Sequence, residues 1–235
     1  MITTAPRSLR GIHWFKLLSD EILRELEQAS AWAELAGCDA LWREGEVARH
    51  FTFIARGLVQ VTRLNGRGVE STLALFGPGE GVGNVAAMDQ GPYPASATAA
   101  STPLTIVRIP SDKMREMMQS HPTMMSASNR AFVANTRALR TKIDVLTAGP
   151  ISARLAVLFL HLAERFGDEP LEGGLFIPIQ LSRACLARLI GAREETTIRV
   201  LTVWRQRGWV STTPRGFHIH APDKVESAVY EDELP

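Results

Sequence analysis

The stretch that decides the fold is 181–210, LSRACLARLIGAREETTIRVLTVWRQRGWV. Ser182 stands where a helix N-cap is wanted, its hydroxyl able to accept from a backbone N–H of the first turn. Leu186, Leu189 and Ile190 follow on one face. Gly191 ends this first helix, because glycine takes the left-handed conformation of a helix C-terminus without strain. A second helix is expected from Glu194 to about Arg207, stopped by Gly208. At 3.6 residues per turn, Thr197, Val200, Leu201 and Trp204 share one face, and Glu195, Thr196 and Arg199 share the opposite one. Beyond Gly208, Trp209–Thr212 and Phe217–His220 flank the turn Pro214-Arg215-Gly216, a β-hairpin beside the helix pair. The pattern is a winged helix-turn-helix.

The outward face has the chemistry of a reading surface. An arginine donates two hydrogen bonds to guanine in the major groove, and a glutamate accepts from cytosine. Glu195 and Arg199, four apart, are also placed to pair with each other; alone, such a pair reads equally as a solvated surface contact. Charge tips the reading. Between Leu181 and Arg215 there are seven arginines (183, 188, 193, 199, 205, 207, 215) and two glutamates, a net of +5, whereas the whole chain of 235 residues nets only +1. A basic stripe on an otherwise slightly acidic chain is an electrostatic footprint for phosphate. Arg193, Arg205, Arg207 and Arg215 are the candidate phosphate contacts.

Working outward, Gly149-Pro150 marks a hinge, Ile151–Phe166 reads as an amphipathic helix, and 167–178 as a Gly/Pro-rich connection. Ser111 to about Leu146 is helical with a break at His121-Pro122. In its second part Met125, Phe132, Leu139 and Leu146 recur every seven residues, with Asn129, Thr136 and Ile143 four after the first three, a seam of the coiled-coil kind. It fits either a homodimer interface through Met125, Phe132, Leu139, Ile143 and Leu146, or a helix packed on its own barrel. Between Leu41 and Ile109, short apolar runs such as Leu58–Val61 and Leu104–Val107 alternate with glycine turns, among them Asn65-Gly66, as in a small β-barrel or sandwich. His13 to about Leu35 reads as a helix with Ser19 as cap. The fold class expected is α+β: a jelly-roll-like β-roll domain with an N-terminal helix over 1–121, a dimerisation helix over 122–148, and the winged helix-turn-helix over 149–235.

Several classes drop out. The composition, 45% apolar and 22% charged, is that of a globular chain. The longest apolar run, Leu155–Leu160, is far below the roughly 20 residues of a membrane helix, and the N-terminus lacks a signal-peptide pattern; a cytoplasmic protein without membrane contact is expected. Cys38 and Cys185 are too few for a disulfide framework or an iron–sulfur cluster. A metal-dependent catalyst in a barrel needs converging histidines, and 41–109 holds only His50, so no enzyme is expected. His218 and His220 share one strand face but are too few to define a metal site. The loop Gly79-Glu80-Gly81-Val82-Gly83 resembles a nucleotide loop, but its surroundings read as β and turn, not βαβ.

With these residues in hand, the chain from about 13 to 221 resembles the Crp/Fnr family of bacterial transcription regulators. The segment Leu181–Val210 matches the family's helix-turn-helix without gaps, and the glycine-rich β segment, long helix and hinge follow in the family's order. The resemblance implies a homodimer on pseudo-palindromic double-stranded DNA, with RNA polymerase as a partner. The family's base-reading glutamate and arginine fall on Glu195 and Arg199. Glu194 replaces the arginine of cyclic-AMP-responsive members, and Ile198 the serine of oxygen-responsive ones; Ile198 is expected against a thymine methyl.

The resemblance fails at the effector end. Cyclic-nucleotide members carry a Gly-Glu pair and, eleven residues after that glycine, an Arg-Ser pair. Aligned on Gly83, this chain has Asn84, then Val85, and Pro94-Ala95 where the arginine and serine belong. Leu139 and Arg140 replace two hydroxyl residues expected to meet the purine. These seven positions are the candidate effector region, with cyclic AMP and cyclic GMP not expected. Haem, bound by some members, needs one or two axial ligands; His13, His50, His121 and His161 are candidates. A haem- or small-molecule-gated regulator, and a non-DNA regulatory subunit with a degenerate nucleotide domain, are the alternatives.

Overall fold

A computed structural model describes residues 8–64, 66, 68, 70–168 and 173–230; within the long helix the side chains of 127, 129–135 and 137–139 are outside the description. Contacts divide the chain into two compact units, 1–63 with 75–137 and 64–74 with 138–235. The boundary differs from the three segments expected from sequence, because the long helix contributes one end to each unit.

In the first unit, two 3-10 turns, Leu9–Gly11 and His13–Phe15, lead to α1 (Asp20–Ala29). Ser19 caps α1, accepting from Ile22 N at 3.5 Å, and Ile22, Leu23 and Leu26 bury its apolar stripe. The helix is shorter than expected. Ala31–Leu35 is strand β1, because the edge of β8 (Leu104–Pro110) offers its backbone partners, with Trp32 opposite Val107 and Ala33 opposite Ile106.

The strands are β2 (Ala40–Trp42), β3 (His50–Arg56), β4 (Val59–Leu64), β5 (Glu70–Phe76), β6 (Gly81–Val82), β7 (Ser96–Ala99) and β8. They form two four-stranded sheets, ordered β1-β8-β3-β6 and β2-β7-β4-β5. β3 and β8 pair antiparallel, Phe53 with Val107 and Ile54 with Ile106, and these four side chains are fully buried. Trp14 and Phe15 cover Phe53 with ring centroids 5.3 and 4.7 Å away. The turn expected at Asn65-Gly66 falls between β4 and β5, and Asn65 lies outside the described residues. A short helix, α2 (Asn84–Met88), directly follows Gly83, which the all-β reading of this stretch missed. It has five residues, and the adjoining strands β6 and β7 lie in different sheets, so it makes no βαβ unit. Helix α3 (Ser111–Ser120) closes the domain, and α4 (Pro122–Thr147) begins at the expected break.

The second unit is built on α5 (Ile151–Phe166), whose Leu155, Ala156, Phe159 and Leu162 are buried. Strand β9 (Leu175–Ile177) lies in the segment expected to be connection only. It forms there because β11 (Gly216–Ile219) takes it as a third strand, Phe217 opposite Ile177, beside β10 (Val210–Thr213). Helices α6 (Arg183–Ile190) and α7 (Glu194–Gln206) fall where the sequence places them, and α8 (Pro222–Ser227) was not anticipated. Among the described residues no helix is long and apolar enough to cross a membrane.

Candidate nucleic-acid interface

Helix α6 opens on Ser182, whose hydroxyl accepts from Cys185 N at 3.1 Å. It ends at Gly191, with φ 65° and ψ 40°, a conformation that costs an L-residue with a side chain about 1–2 kcal/mol. The turn leads to α7, whose first-turn acids Glu194 and Glu195 complement the helix dipole. Thr197, Val200, Leu201 and Trp204 are buried. Thr197 also donates its hydroxyl to Arg193 O at 3.1 Å. Trp204 meets Phe159 edge-on at 6.0 Å, and Phe159 in turn meets Phe217 at 5.0 Å. One apolar column thus fixes α7 on α5 and the hairpin.

The opposite face is held out. Glu195 and Arg199 are exposed and Thr196 is half-buried, and Ile198, a large apolar side chain, is 43% exposed. The expected pairing of Glu195 with Arg199 does not occur: among the described residues no ion pair joins them. Such exposed pairs gain about 0–1 kcal/mol and cost side-chain freedom, so each group is left to water.

Two cations, one at the end of α7 and one on the hairpin turn, lie over rings. Arg215 lies over Phe176 at 5.5 Å and Arg207 over Trp209 at 5.2 Å; both are exposed, as are Arg193 at the α7 N-cap and Arg205. Arg183 was counted in the basic stripe but its role was missed. It donates to Thr212 Oγ1 at 2.8 Å and sits over Phe217 at 5.6 Å, tying α6 to the hairpin. Burial, then the nearby Arg205 charge, lowers its pKa from the usual arginine value. No spacing rule signals a contact between α6 and a strand 29 residues on. The His218 and His220 rings lie with centroids 4.1 Å apart, tilted by 40°. His220 Nε2 lies 2.8 Å from Ser211 Oγ and His218 Nε2 3.1 Å from Gly173 O. Among the described residues no cluster of three metal-ligating side chains exists.

The effector residues of the β-roll divide: Asn84 and Ala95 are buried, Gly83 is half-buried, and Val85 and Pro94 are exposed. Gly83 has φ 70°, and a Cβ there would sit 2.7 Å from Tyr93 Cε1 and 2.8 Å from Trp42 Cζ2. Those two rings stack at 4.1 Å, and Trp42 Nε1 donates to Ala95 O at 3.0 Å. Asn84 Oδ1 accepts from Thr52 N at 2.9 Å. Burial raises the Tyr93 hydroxyl pKa, opposed by the nearby Arg108. Trp42 and Tyr93 were not singled out from sequence. Arg140 is exposed, 4.0 Å from Asp144; the Leu139 side chain lies outside the described residues. The haem candidates are scattered over the second 3-10 turn (His13), β3 (His50), the α3–α4 junction (His121) and α5 (His161). On α4, Met125, Ile143 and Leu146 are 45%, 60% and 38% exposed; the Phe132 side chain is outside the description.

Two family models match the chain, a cyclic nucleotide-binding domain over residues 34–121 and a Crp-like helix-turn-helix domain over 153–228. The chain thus joins a cyclic nucleotide-binding domain to a Crp-like helix-turn-helix domain, the build of Crp/Fnr-type regulators. It is a DNA-binding transcription regulator, not an enzyme. It is 29% identical over 171 residues to the CRP-like cAMP-activated global transcriptional regulator of Mycobacterium tuberculosis, covering 72% of this chain and 75% of that one. It is 24% identical over 179 residues to the global nitrogen regulator of Synechocystis, covering 76% and 79%. Among solved structures, FixK2 from Bradyrhizobium japonicum superposes with TM-score 0.72 at 15% identity, covering 88% of this chain and 98% of that one. A CRP-family transcriptional regulator from Thermus thermophilus superposes with TM-score 0.70 at 21% identity, covering 85% and 97%. These neighbours share the mixed α+β fold.

Proposed function

We propose that this regulator acts in the cytoplasm as a homodimer that reads a two-fold pseudo-palindromic site without a cyclic nucleotide. The observation that carries the reading is the two-sided α7. One face is locked into the core through Trp204, while Glu195, Thr196, Ile198 and Arg199 stand outward. Glu195 and Arg199 read bases, Thr196 and Ile198 add contacts at the groove floor, and Arg193, Arg205, Arg207 and Arg215 bind phosphates. The exposed Met125, Ile143 and Leu146 on α4 support a dimer seam that a partner copy covers. RNA polymerase is the further partner that such a regulator would address.

The β-roll does not fit a cyclic nucleotide. Residues 81–95 include no lysine or arginine, so the segment that carries the phosphate-binding arginine in cyclic-nucleotide members supplies no cation here, and a buried phosphate left unpaired costs several kcal/mol. Asn84 is committed to Thr52 N, and Trp42 and Tyr93 stand against Gly83. Two cysteines, one exposed and one buried, argue against an iron–sulfur cluster. The four candidate histidines stand on different elements, which argues against a pair of them serving as two axial ligands for haem.

Selection of bound duplexes from a random pool, with purified protein and no added ligand, tests the reading. The expected product is a symmetric site with half-sites about 34 Å apart. Salt-sensitive binding without sequence preference would overturn it.

A further inference from the structure

The C-terminal end of α6 adjoins the turn that sets the angle between the two helices of the DNA-binding pair. A helix leaves its last carbonyls without internal partners. Here Ala187 O receives the N–H groups of Gly191 and Ala192, the second at 2.9 Å. The next three carbonyls are taken by cations from other helices. Lys142 on α4 donates to Arg188 O at 3.3 Å and to Leu189 O. Arg154 on α5 donates to Ile190 O at 3.4 Å, and its Nε to Gly149 O at 2.8 Å. Leu146 Cδ2, also on α4, lies 3.0 Å from where a Cβ on Gly191 would stand. Both cations thus meet the negative end of the α6 dipole, and all these residues belong to the second compact unit.

We infer that Lys142 is a positioning residue, which ties the end of α4 to the C-terminus of α6 and so sets how far apart a dimer holds its two recognition helices. The inference rests on the reading of the chain as a dimeric DNA reader. It goes further by naming the contact that converts seam geometry into half-site spacing.

The environment of Lys142 supports a contact that forms and breaks. Burial lowers its pKa to about 8, opposed by Cys185. Of the titratable groups, Cys185 on α6 acts on its charge; Arg188, whose carbonyl it meets, pairs through its guanidinium with Glu70 on β5, Arg154 on α5 takes the adjoining carbonyl, and on its own helix Arg140 lies 4.0 Å from Asp144. A released lysine keeps its proton to about pH 10.4, whereas the docked amine loses it near pH 8 and still has two N–H groups for two carbonyls. Raising the pH from 7 to 9 therefore favours the docked arrangement, by up to about tenfold.

The test measures binding of the full chain and its K142M and K142R variants to three duplexes: the selected two-fold site, the same site with about half a helical turn inserted between half-sites, and a single half-site. K142M is expected to keep its half-site affinity, to lose about tenfold or more on the two-fold site, and to bind the misspaced site nearly as well. K142R should restore the spacing preference. Wild type should sharpen that preference several-fold between pH 7 and 9, and K142R, whose guanidinium stays charged, should not. K142M with wild-type spacing discrimination would overturn the inference while leaving the DNA reading intact. If K142M does not fold, the pH series decides, and the same response in wild type and K142R overturns it. Wild type blind to sequence on every duplex would overturn the DNA reading and the inference with it.

Discussion

Helices α7 and α2 each follow a glycine with positive φ, Gly191 and Gly83, and they use their polar residues in opposite ways. After Gly191, the turn leads to α7, with Glu195 and Arg199 in water and Trp204 in the core. After Gly83, α2 turns Asn84 inward to Thr52 N and leaves Val85, an apolar residue, outside. Unpaired polar groups on a rigid outer face are free to bind something else. A polar group buried with its partner already found holds structure. In the reading proposed above, the outer face of α7 stays open to DNA, whereas Asn84 at the candidate effector end is spent on holding β3.

The largest effect should come from removing what makes α7 two-sided. Trp204→Ala empties a fully buried site between Phe159 and Trp209 and should cost about 3–5 kcal/mol. Thermal unfolding would register it, and DNA affinity would fall with the folded population. An unfolding temperature close to wild type would mean that α7 is not anchored there.

Next comes the effector end. Asn84→Ala leaves Thr52 N, in a strand buried at that point, without its acceptor, which should cost about 1–3 kcal/mol of stability. Affinity for the selected site should not change once the variant is folded. A variant as stable as wild type would show that Asn84 does not hold the strand, and the contrast between the two helices would fail on that side.

Arg199→Ala sharpens the contrast from the other side. It should leave stability within about 0.5 kcal/mol, as for exposed sites without partners. It should cost about 1–3 kcal/mol of site affinity and relax preference at one base pair. Repeating the selection with this variant checks it, and an unchanged consensus would reject α7's outer face as the reading surface.

What was legible in the sequence was local. The Ser182 cap, the Gly191 stop and the inward set at Thr197, Val200, Leu201 and Trp204 depend on neighbours within a few residues, and each appears where the pattern puts it. What was not legible depends on distant partners. Ala31–Leu35 reads as helix until the edge of β8 is present, and β9 exists because β11 accepts it. The Trp42–Ala95 hydrogen bond spans 53 positions and the Lys142–Leu189 bond 47. No periodicity carries such information, so the aromatic stack beside Gly83 and the Lys142 and Arg154 contacts at the C-terminus of α6 emerged only from the fold. The missing Glu195–Arg199 pair is a different case. Its spacing permits the contact, but exposure to water leaves too little energy to require it.

The smallest effect separates phosphate contact from base reading within the same domain. Arg215 sits on the hairpin turn, exposed, with its guanidinium over Phe176. A charge held there by a ring is oriented but unpaired. Arg215→Ala should weaken binding to the selected site and to unrelated duplex by similar factors, and reduce the slope of log affinity against log salt by about 1. Arg199→Ala should instead narrow the gap between those two duplexes. Titrations at several salt concentrations measure both effects. If Arg215→Ala narrowed the gap and left the salt slope unchanged, the hairpin would be reading bases rather than the backbone.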